Sequence, residues 1–373
     1  MSECVPLHGG QLGQLAERFG VSASALLDFS ANINPEGPPE SVLSRLRASL
    51  DDLSTLTNYP DLREMGLRRS LACYAGVRTE NVIAANGFVP LLDAVLRALP
   101  IRRCLLPVPA FVEYRRALER ASIEVVPFPL ACNSNFSYEA LDLKAGAHDA
   151  VLLANPQNPS GVLADRKMLV ELVEEAINQN IFVLLDEAFI DYCPEAFVKD
   201  EIDRFPNLIV FRSVTKFFGM PGLRVAYAVA NAKISEQLQG AIAPWPITTL
   251  ASLAASTAVE DEAYKQRTIA LNLDRRSRMK AAIAELGIEV YPSAANFLLL
   301  RISDAVDCEN LWARLIQEHQ IVLRNCANYE ALHEQHLRAA IRSDAENERL
   351  IEALALVLRT KASACEVQNH SRP

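Results

Sequence analysis

The sequence lacks the closely spaced cysteine pairs that mark zinc sites and small disulfide-rich domains. Its eight cysteines are scattered along 373 residues, and no two of them form a Cys-x-x-Cys pair. In a chain of this length, such cysteines are typical of reduced thiols in a cytoplasmic protein. We therefore expect neither a disulfide framework nor a metal site.

Signals for membrane insertion and secretion are also missing. No apolar run approaches the roughly 18 residues that a transmembrane helix requires. The first ten residues, MSECVPLHGG, contain neither the basic nor the apolar segment of a signal peptide. These features predict a cytoplasmic protein without a membrane partner.

The chain has no dense basic block, and its net charge is −9. An acidic balance argues against nucleic-acid binding as the main task. A small anionic ligand would then need a local basic pocket. Half of the residues are hydrophobic, which is enough for a large core and for more than one ordinary domain.

The middle of the chain alternates between apolar strands and amphipathic helices. The segments AVLLA, IFVLLDEAF and NLIVFRSVTK are predicted strands, and residues 163–178 have apolar side chains at helical spacing. Continuous apolar strands with helices between them indicate an α/β fold whose central sheet is mainly parallel and covered on both faces.

The expected domain organisation has a large domain and a smaller one. The large domain is predicted over residues 45–265. Residues 1–44 form an N-terminal arm that belongs to a smaller α+β domain, and residues 266–373 supply an interdomain helix and the rest of that domain. In this last part, NFLLLRI and LRAAIR are predicted strands, and the capping-box pattern Ser343-Asp-Ala-Glu346 predicts the start of the final helix.

Three polar residues follow successive predicted strands: Asn158, Asp186 and Lys216. In an open parallel sheet, ligands bind at the carboxyl ends of the strands, so these side chains are expected to converge. A lysine amine can form a Schiff base with an aldehyde. A carboxylate can hold a protonated pyridine nitrogen, and an amide can bond a ring oxygen.

A phosphate could be bound beside these groups. Ser213, Thr215 and Arg224 surround Lys216 in the sequence, and a turn at Gly87 leads into a predicted helix N-terminus that offers free N–H groups. Aldehyde, pyridine nitrogen, ring oxygen and phosphate together describe pyridoxal 5′-phosphate (PLP). Each residue alone is more often a turn residue, a cap or a solvated charge, but the ordered set is far more specific.

Three motifs carry a resemblance to a known family: Asn155-Pro-Gln-Asn158-Pro-Ser-Gly, Asp186-Glu-Ala-Phe189, and Ser213-Val-Thr-Lys216 followed by Gly222-Leu-Arg224. Together they resemble fold-type I PLP-dependent enzymes, which have the aspartate aminotransferase fold, and in particular the histidinol-phosphate aminotransferase branch. The resemblance runs over nearly the whole chain.

Further segments resemble those members of the branch that decarboxylate L-threonine O-3-phosphate in cobalamin biosynthesis. These segments are His8-Gly-Gly, Asp28-Phe-Ser-Ala-Asn-Ile-Asn-Pro35, Pro244-Trp245, Arg324-Asn-Cys-Ala-Asn-Tyr329 and Leu337-Arg-Ala-Ala-Ile-Arg342. Transaminases of the branch usually have tyrosine where this chain has Phe189, so the residue favours the decarboxylase.

The resemblance implies a role for each matched residue. Lys216 would bond covalently to the cofactor and Asp186 would pair with its ring nitrogen. The other implied cofactor contacts are Asn158 at the ring oxygen, Phe111 stacked on the ring, and Gly87, Phe88, Val89, Ser213, Thr215 and Arg224 at the phosphate. Tyr59 would reach the phosphate of a neighbouring subunit, which implies a homodimer with shared sites.

The substrate contacts implied by the resemblance come from both ends of the chain. Arg324 and Arg342 would form a carboxylate-binding pair. His8 and Asn32 would lie near the substrate phosphate or in a closing N-terminal arm, and Asn158 would also face the substrate.

Other readings remain open at this point. The chain could be an aminotransferase acting on histidinol phosphate or a related amino acid, or a phosphoserine decarboxylase. It could also be a non-catalytic relative that binds ligand in a regulatory role. The turn Ala85-Asn-Gly-Phe-Val-Pro90 supports that last reading, because positions 88 and 89 lack the hydroxyl group that the family usually has there.

Overall fold

The computed structural model describes residues 5–144 and 146–369, with side chains as far as residue 359. Cys4 and the side chain of Cys365 lie outside this range. The helices in the described range are α1 (Leu12–Phe19), α2 (Glu40–Leu50), α3 (Ser54–Thr57), α4 (Met65–Ala75), α5 (Phe88–Ala98), α6 (Val112–Arg120), α7 (Arg166–Asn178), α8 (Ala232–Gln239), α9 (Thr249–Glu260), α10 (Glu262–Glu285), α11 (Cys308–His319) and α12 (Asp344–Asn369).

The strands are shorter than most of the helices and are concentrated in two sheets. They are β1 (Leu27–Asp28), β2 (Val82–Ala85), β3 (Arg103–Val108), β4 (Glu124–Pro129), β5 (Ala150–Ala154), β6 (Phe182–Asp186), β7 (Leu208–Ser213), β8 (Ala226–Ala230), β9 (Glu289–Val290), β10 (Phe297–Arg301), β11 (Ile321–Val322), β12 (Arg324–Asn325) and β13 (His336–Ala340).

The larger sheet has seven strands in the order β2-β8-β7-β6-β5-β3-β4. The strands from β7 to β4 are parallel, and β8 runs antiparallel between β7 and β2. Successive residues of β5 pack into different apolar clusters: Val151 faces one side of the sheet and Leu152 the other. This burial on both faces explains the continuous apolar runs in the sequence. The predicted mainly parallel α/β fold is confirmed.

The second sheet, in the order β12-β13-β10-β9, is antiparallel throughout. The N-terminal arm joins this part of the chain, because β1 pairs in parallel with β11. Phe29 and Leu15 of the arm pack in one apolar cluster with Leu298 and Trp312. These contacts agree with a small domain built from both chain ends, although the predicted domain boundaries stay a prediction.

Helix ends follow the sequence signals closely. The predicted helix over residues 163–178 begins at Arg166, where the Asp165 carboxylate caps the N–H of Met168 at 3.0 Å. At the start of α12, the Glu346 carboxylate accepts from the N–H of Ser343 at 3.1 Å, as the capping box predicts.

No helix in the described part of the chain is both long enough and apolar enough to cross a membrane. Residues 5–144 and 146–369 also contain no group of three or more His, Cys, Asp or Glu side chains that could hold a metal ion. The cysteines whose side chains are described, at positions 73, 104, 132, 193, 308 and 326, are free thiols.

A buried ion pair lies beside the large sheet. Arg212 on β7 donates to the Asp191 carboxylate, and their side chains are 4% and 3% exposed. Tyr74 also donates to Asp191, at 2.7 Å, and the Arg212 guanidinium lies 4.4 Å from the ring centre of Phe197. Nearby, burial raises the pKa of Glu187 to about 8. Arg212 is therefore the cation that balances the negative charge of the buried Asp191 carboxylate.

We predict that Arg212→Met lowers the free energy of unfolding by about 3–5 kcal/mol, because it leaves a buried carboxylate unpaired. Urea unfolding of the two proteins measures the difference. Arg47→Met is the matched control, since Arg47 and its partner Glu40 are both about 70% exposed, and it should cost about 0–1 kcal/mol. Equal small losses in both variants would show that Asp191 does not depend on Arg212.

Candidate active site

The candidate site lies at the carboxyl edge of the large sheet, where three adjacent parallel strands end. Asp186 is the last residue of β6 and Ser213 the last residue of β7. Asn158 follows β5 by four residues, and Lys216 follows β7 by three. Because these strands are neighbours, their ends bring the polar side chains to one place, as predicted from the sequence.

A cavity of about 600 Å³ lies at this edge. The predicted site residues that line it are His8, Asn32, Gly87, Phe88, Val89, Phe111, Asn158, Asp186, Ser213, Thr215, Lys216, Arg224 and Arg324. Tyr59 and Arg342 do not line it. Phe189 also lines the cavity, with its ring packed edge-on to Phe297 at 5.0 Å.

Lys216 is placed among apolar residues and near other cations. Burial lowers the pKa of its amine to about 8, and the Arg338 and Arg224 guanidinium groups act in the same direction. The neutral form of this amine is therefore more accessible than that of an ordinary, solvent-exposed lysine. The neutral amine is the form that attacks an aldehyde carbon.

Asp186 is a buried carboxylate with a donor for each oxygen. The Tyr114 hydroxyl donates to Oδ2 at 2.5 Å, and the N–H of Ala188 donates to Oδ1 at 2.9 Å. Burial raises the pKa of Asp186 to about 6, while these two hydrogen bonds and the charge of Lys216 oppose the rise. The carboxylate is thus held ionised near neutral pH at a position where a cationic ring nitrogen could pair with it.

An anion cradle is formed by the start of α5 together with residues near Lys216. The hydroxyl oxygens of Ser213 and Thr215 are 2.7 Å apart. Gly87 has φ +91°, and a Cβ atom there would lie 2.8 Å from the Arg224 guanidinium, so only glycine lets that guanidinium pack against the turn. The N–H groups at the start of a helix have no intrahelical acceptor and are suited to bind an anion.

One predicted contact of this cradle takes a different form. The N–H of Gly87 was predicted to face the phosphate, but it donates to the carbonyl of Ala85 at 2.8 Å. Gly87 therefore contributes space for Arg224, and Phe88 and Val89 supply the N–H groups of the first helical turn. Ser213 and Thr215 supply hydroxyl groups in a cradle that has none at positions 88 and 89.

Arg338 is a cavity residue that the sequence motifs did not indicate. It lies on β13, is 6% exposed, and donates to the Asn158 side-chain oxygen at 2.6 Å and to the Ser30 carbonyl at 3.2 Å. Arg342 was expected in this position. The structure instead turns Arg342 away from the cavity, where it donates to Glu346 at 2.7 Å and to the carbonyl of Asp28 at 3.0 Å.

The reason for the difference is the point at which β13 ends. The strand stops at Ala340, and the chain then turns into α12, whose first turn holds Arg342 through Glu346. Arg338 is the arginine inside the strand, between the buried Leu337 and Ala339. An arginine within an apolar strand is the signal that could have identified it.

Asn34 was also missed, although it lies in a motif that was noted. Its N–H donates to the carbonyl of Lys216 at 3.1 Å, and its side-chain amide donates to the carbonyl of Phe217 at 2.9 Å. The same amide donates to the Tyr264 hydroxyl at 2.8 Å. Asn34 therefore fixes the backbone that carries Lys216 to the N-terminal arm.

The N-terminal arm lies at the mouth of the cavity. Arg324 donates to the carbonyl of Leu7 at 3.0 Å and to Asn328 at 2.7 Å. The imidazole of His8 lies 3.1 Å from the Glu113 carboxylate. Asn32 is 4% exposed, and its side-chain oxygen has no hydrogen-bond partner among the residues that the structure describes. An unpaired buried oxygen beside the cavity is available to a ligand.

Tyr59 lies away from the cavity of its own chain. It is 81% exposed, and its ring centre lies 4.8 Å from that of Trp245. Leu53 and Leu56, both more than 60% exposed, precede it in the chain. The predicted contact of Tyr59 with a neighbouring subunit stays a prediction, and an exposed position is one that such a contact requires.

A nucleophilic amine, a buried carboxylate and an anion cradle around one cavity at the end of a mainly parallel sheet are the features of fold-type I PLP-dependent enzymes. Comparison with known proteins leads to the same class. The family model "Aminotransferase class I and II" matches residues 24–354. The chain belongs to this family and is a PLP-dependent enzyme.

The chain is similar to individual members of more than one activity. It is 37% identical to threonine-phosphate decarboxylase of Salmonella typhimurium, over 96% of this chain and 98% of that protein. Among solved structures, the histidinol-phosphate aminotransferase of Clostridium acetobutylicum has a TM-score of 0.84 and 29% identity, covering 90% of this chain and 100% of that one. The Sinorhizobium meliloti histidinol-phosphate aminotransferase in complex with PLP shares the fold, with a TM-score of 0.83 and 22% identity over 96% and 98% of the two chains.

We predict that Lys216→Ala removes the yellow absorbance of lysine-bound cofactor from the purified protein, because no other amine is held beside Asp186 in the described cavity lining. Absorption spectra with added PLP measure this loss. Lys199→Ala is the control, since Lys199 is exposed and lies outside the cavity. A variant at position 216 that kept the full band and full turnover would contradict the assignment.

Proposed function

We propose that this enzyme decarboxylates L-threonine O-3-phosphate to (R)-1-amino-2-propanol O-2-phosphate and CO₂ in cobalamin biosynthesis. The observation that carries the proposal is the presence of two further arginines, Arg324 and Arg338, in the cavity beyond the Arg224 of the anion cradle. A substrate with both a carboxylate and a phosphate matches two separate guanidinium groups. The 37% identity to a threonine-phosphate decarboxylase supports the same substrate.

The cofactor would be held by the residues at the strand ends. Lys216 would bond to its aldehyde carbon, Asp186 would hold the proton of its ring nitrogen, and Phe111 would stack on its ring. The cradle of Ser213, Thr215, Arg224 and the first N–H groups of α5 would bind its phosphate.

The amide of Asn158 is oriented by its neighbour for a contact with the cofactor ring oxygen. Arg338 donates to the Asn158 side-chain oxygen at 2.6 Å. The amide nitrogen, which can only donate, is then directed to a different partner. An anionic ring oxygen is an acceptor and suits this nitrogen.

Arg338 would bind the substrate carboxylate. It takes the place that the resemblance implied for Arg342, and its guanidinium lies beside Asn158 and 3.3 Å from the Tyr329 hydroxyl. These contacts fix the direction of its fork, and a fixed fork fixes the direction of the carboxylate that it binds. Arg324 and His8, at the mouth, would bind the substrate phosphate, and Asn32 is part of the same cavity lining.

The reaction type follows from how these residues orient the substrate. PLP, when bound, accepts the electron pair that is released at the substrate Cα. The bond that breaks is the one that stands perpendicular to the cofactor ring. The residues that bind the substrate carboxylate and the substrate phosphate set this orientation, and they therefore decide between loss of CO₂ and loss of the Cα proton. Decarboxylation breaks the bond from Cα to the carboxylate. Lys216, once released and in its ammonium form, would deliver the proton that replaces the carboxylate at Cα and would return to the neutral amine.

Phe189 is consistent with decarboxylation. It occupies the position where transaminases of the branch usually have tyrosine, and its buried ring packs on Phe297. No hydroxyl is available there to act on the cofactor ring oxygen.

A homodimer with shared sites is part of the proposal, and so is a cytoplasmic location. Tyr59 and Trp245 form an exposed aromatic pair, with Leu50, Leu53 and Leu56 also exposed. An exposed apolar surface of this kind favours burial against another subunit.

The proposal predicts that O-phospho-L-threonine yields CO₂ and 1-amino-2-propanol phosphate in equal amounts, with no keto acid. Both products are followed in one reaction with the purified holoenzyme. Amino transfer from histidinol phosphate to 2-oxoglutarate without CO₂ would assign the chain to the aminotransferases, an outcome that the similarity to the Clostridium enzyme makes worth testing. A higher kcat/KM for O-phosphoserine than for O-phospho-L-threonine would assign the chain to phosphoserine decarboxylation. The two substrates must be compared directly, because the one methyl group by which they differ contributes only about 1–3 kcal/mol of discrimination.

We predict that Arg338→Ala lowers kcat/KM for O-phospho-L-threonine by about 10- to 100-fold, since a hydrogen-bonded charge contact contributes about 1.5–3 kcal/mol. Steady-state kinetics with each variant measure the effect. Arg342→Ala is the control within the same segment and should change kcat/KM far less. A larger loss at 342 than at 338 would restore the original expectation.

A further inference from the structure

We propose that Tyr114 is a positioning residue for the cofactor, acting through Asp186. The two side chains are joined by a hydrogen bond of 2.5 Å from the Tyr114 hydroxyl to Oδ2 of Asp186. They lie 72 positions apart in the sequence, on α6 and β6, so the bond connects a helix to the end of the central sheet. The inference rests on the role that we propose for Asp186 at the cofactor ring nitrogen.

Tyr114 stands where it can act on Asp186 alone among the charged groups of the site. Its side chain is 1% exposed and does not line the cavity. Burial and the charge of Asp186 raise the pKa of the Tyr114 phenol well above its ordinary value. The phenol therefore remains protonated and always donates. Asp186, as the acceptor, must be ionised to gain fully from this bond.

The second donor to Asp186, the N–H of Ala188, completes the arrangement. It donates to Oδ1 at 2.9 Å, while Tyr114 donates to Oδ2. With one donor on each oxygen, the carboxylate plane cannot rotate freely. The carboxylate lone pairs that Tyr114 and Ala188 do not use then point in a fixed direction. A ring N–H of the cofactor can donate to them without a further loss of side-chain freedom at Asp186.

Helix α6 also links Tyr114 to the aromatic residue proposed to stack on the cofactor ring. Phe111 is the N-cap residue of the helix, three positions before Tyr114. The two rings are 5.5 Å apart and perpendicular, at 88°. One turn of chain thus places both the ring that would contact the cofactor face and the hydroxyl that orients the carboxylate at its edge.

Removal of the hydroxyl should weaken the hold on a protonated ring. Asp186 would lose a donor that favours its charged form, and burial, which already raises its pKa to about 6, would be less opposed. The ion pair with a protonated ring nitrogen requires the ionised Asp186 carboxylate, so this ion pair would become weaker. Tyr114→Phe keeps the aromatic ring and its packing against Phe111, so the change is confined to the hydrogen bond.

The experiment measures the PLP dissociation constant of the apoenzyme and the visible circular dichroism of the holoenzyme. Tyr114→Phe should raise the dissociation constant about tenfold or more, as expected for a hydrogen bond to a charged group, and should weaken the dichroism. Tyr138→Phe is the matched control. Tyr138 is also buried, and its hydroxyl donates to the carbonyl of Ala154 at 2.8 Å rather than to the Asp186 carboxylate, and it does not line the cavity. Urea unfolding of the apo forms reports any general loss of stability.

A double-mutant cycle with Asp186→Asn distinguishes positioning from a purely structural role. If Tyr114 acts through Asp186, Tyr114→Phe should have almost no effect on the dissociation constant in the Asp186→Asn background. Equal effects in both backgrounds, or an effect no larger than that of Tyr138→Phe, would overturn the proposal for Tyr114 alone. If Asp186→Asn by itself changed neither affinity nor spectrum, the proposed role of Asp186 would fail and the role of Tyr114 with it.

Discussion

Charge buried at the end of an apolar sheet is the constraint on which this structure depends. Each strand from β5 to β7 is covered on both faces, so a charged side chain at its end has little access to water. Burial alone would neutralise Asp186 and Lys216, and their partners decide how far that happens. The hydrogen bonds to Asp186 help to keep an acid ionised, while the nearby guanidinium groups help to lower the pKa of the Lys216 amine. The same burial that stabilises the fold therefore prepares two groups for opposite tasks.

Segments that are distant in sequence meet around this pair of groups. The large sheet supplies Asp186 and Lys216, the C-terminal sheet supplies Arg338, and the N-terminal arm supplies Asn34 and the residues near the mouth. The arm is tied to the C-terminal part by β1 and β11 and to the lysine loop by Asn34. A movement of the C-terminal sheet, β12-β13-β10-β9, would therefore shift Arg338 relative to Asp186 and Lys216. The N-terminal arm would be displaced with that sheet.

The parts of the fold and site that the sequence could predict are those set by local patterns. Apolar strands, caps and the polar residues at strand ends depend on neighbours in sequence, and Asp186 and Lys216 were placed correctly at one cavity. Arg338 and Arg342 lie four residues apart in one motif, and their roles depend on where a strand ends and which carboxylate caps the next helix. Tyr114 and Asn34 act across 72 and 182 positions, so no local pattern shows their partners. Contacts of that kind follow only from the packed structure.

The position of the N-terminal arm has a practical consequence for handling the protein. The carbonyl groups of Pro6 and Leu7 are held by Asn328 and Arg324, and His8 lies against Glu113 at the opening of the cavity. A purification tag fused before this arm would be joined to backbone that Arg324 and Asn328 hold beside the cavity. Strain on that backbone would disturb the Arg324 guanidinium, so the untagged protein is the reference state for measurements on this site.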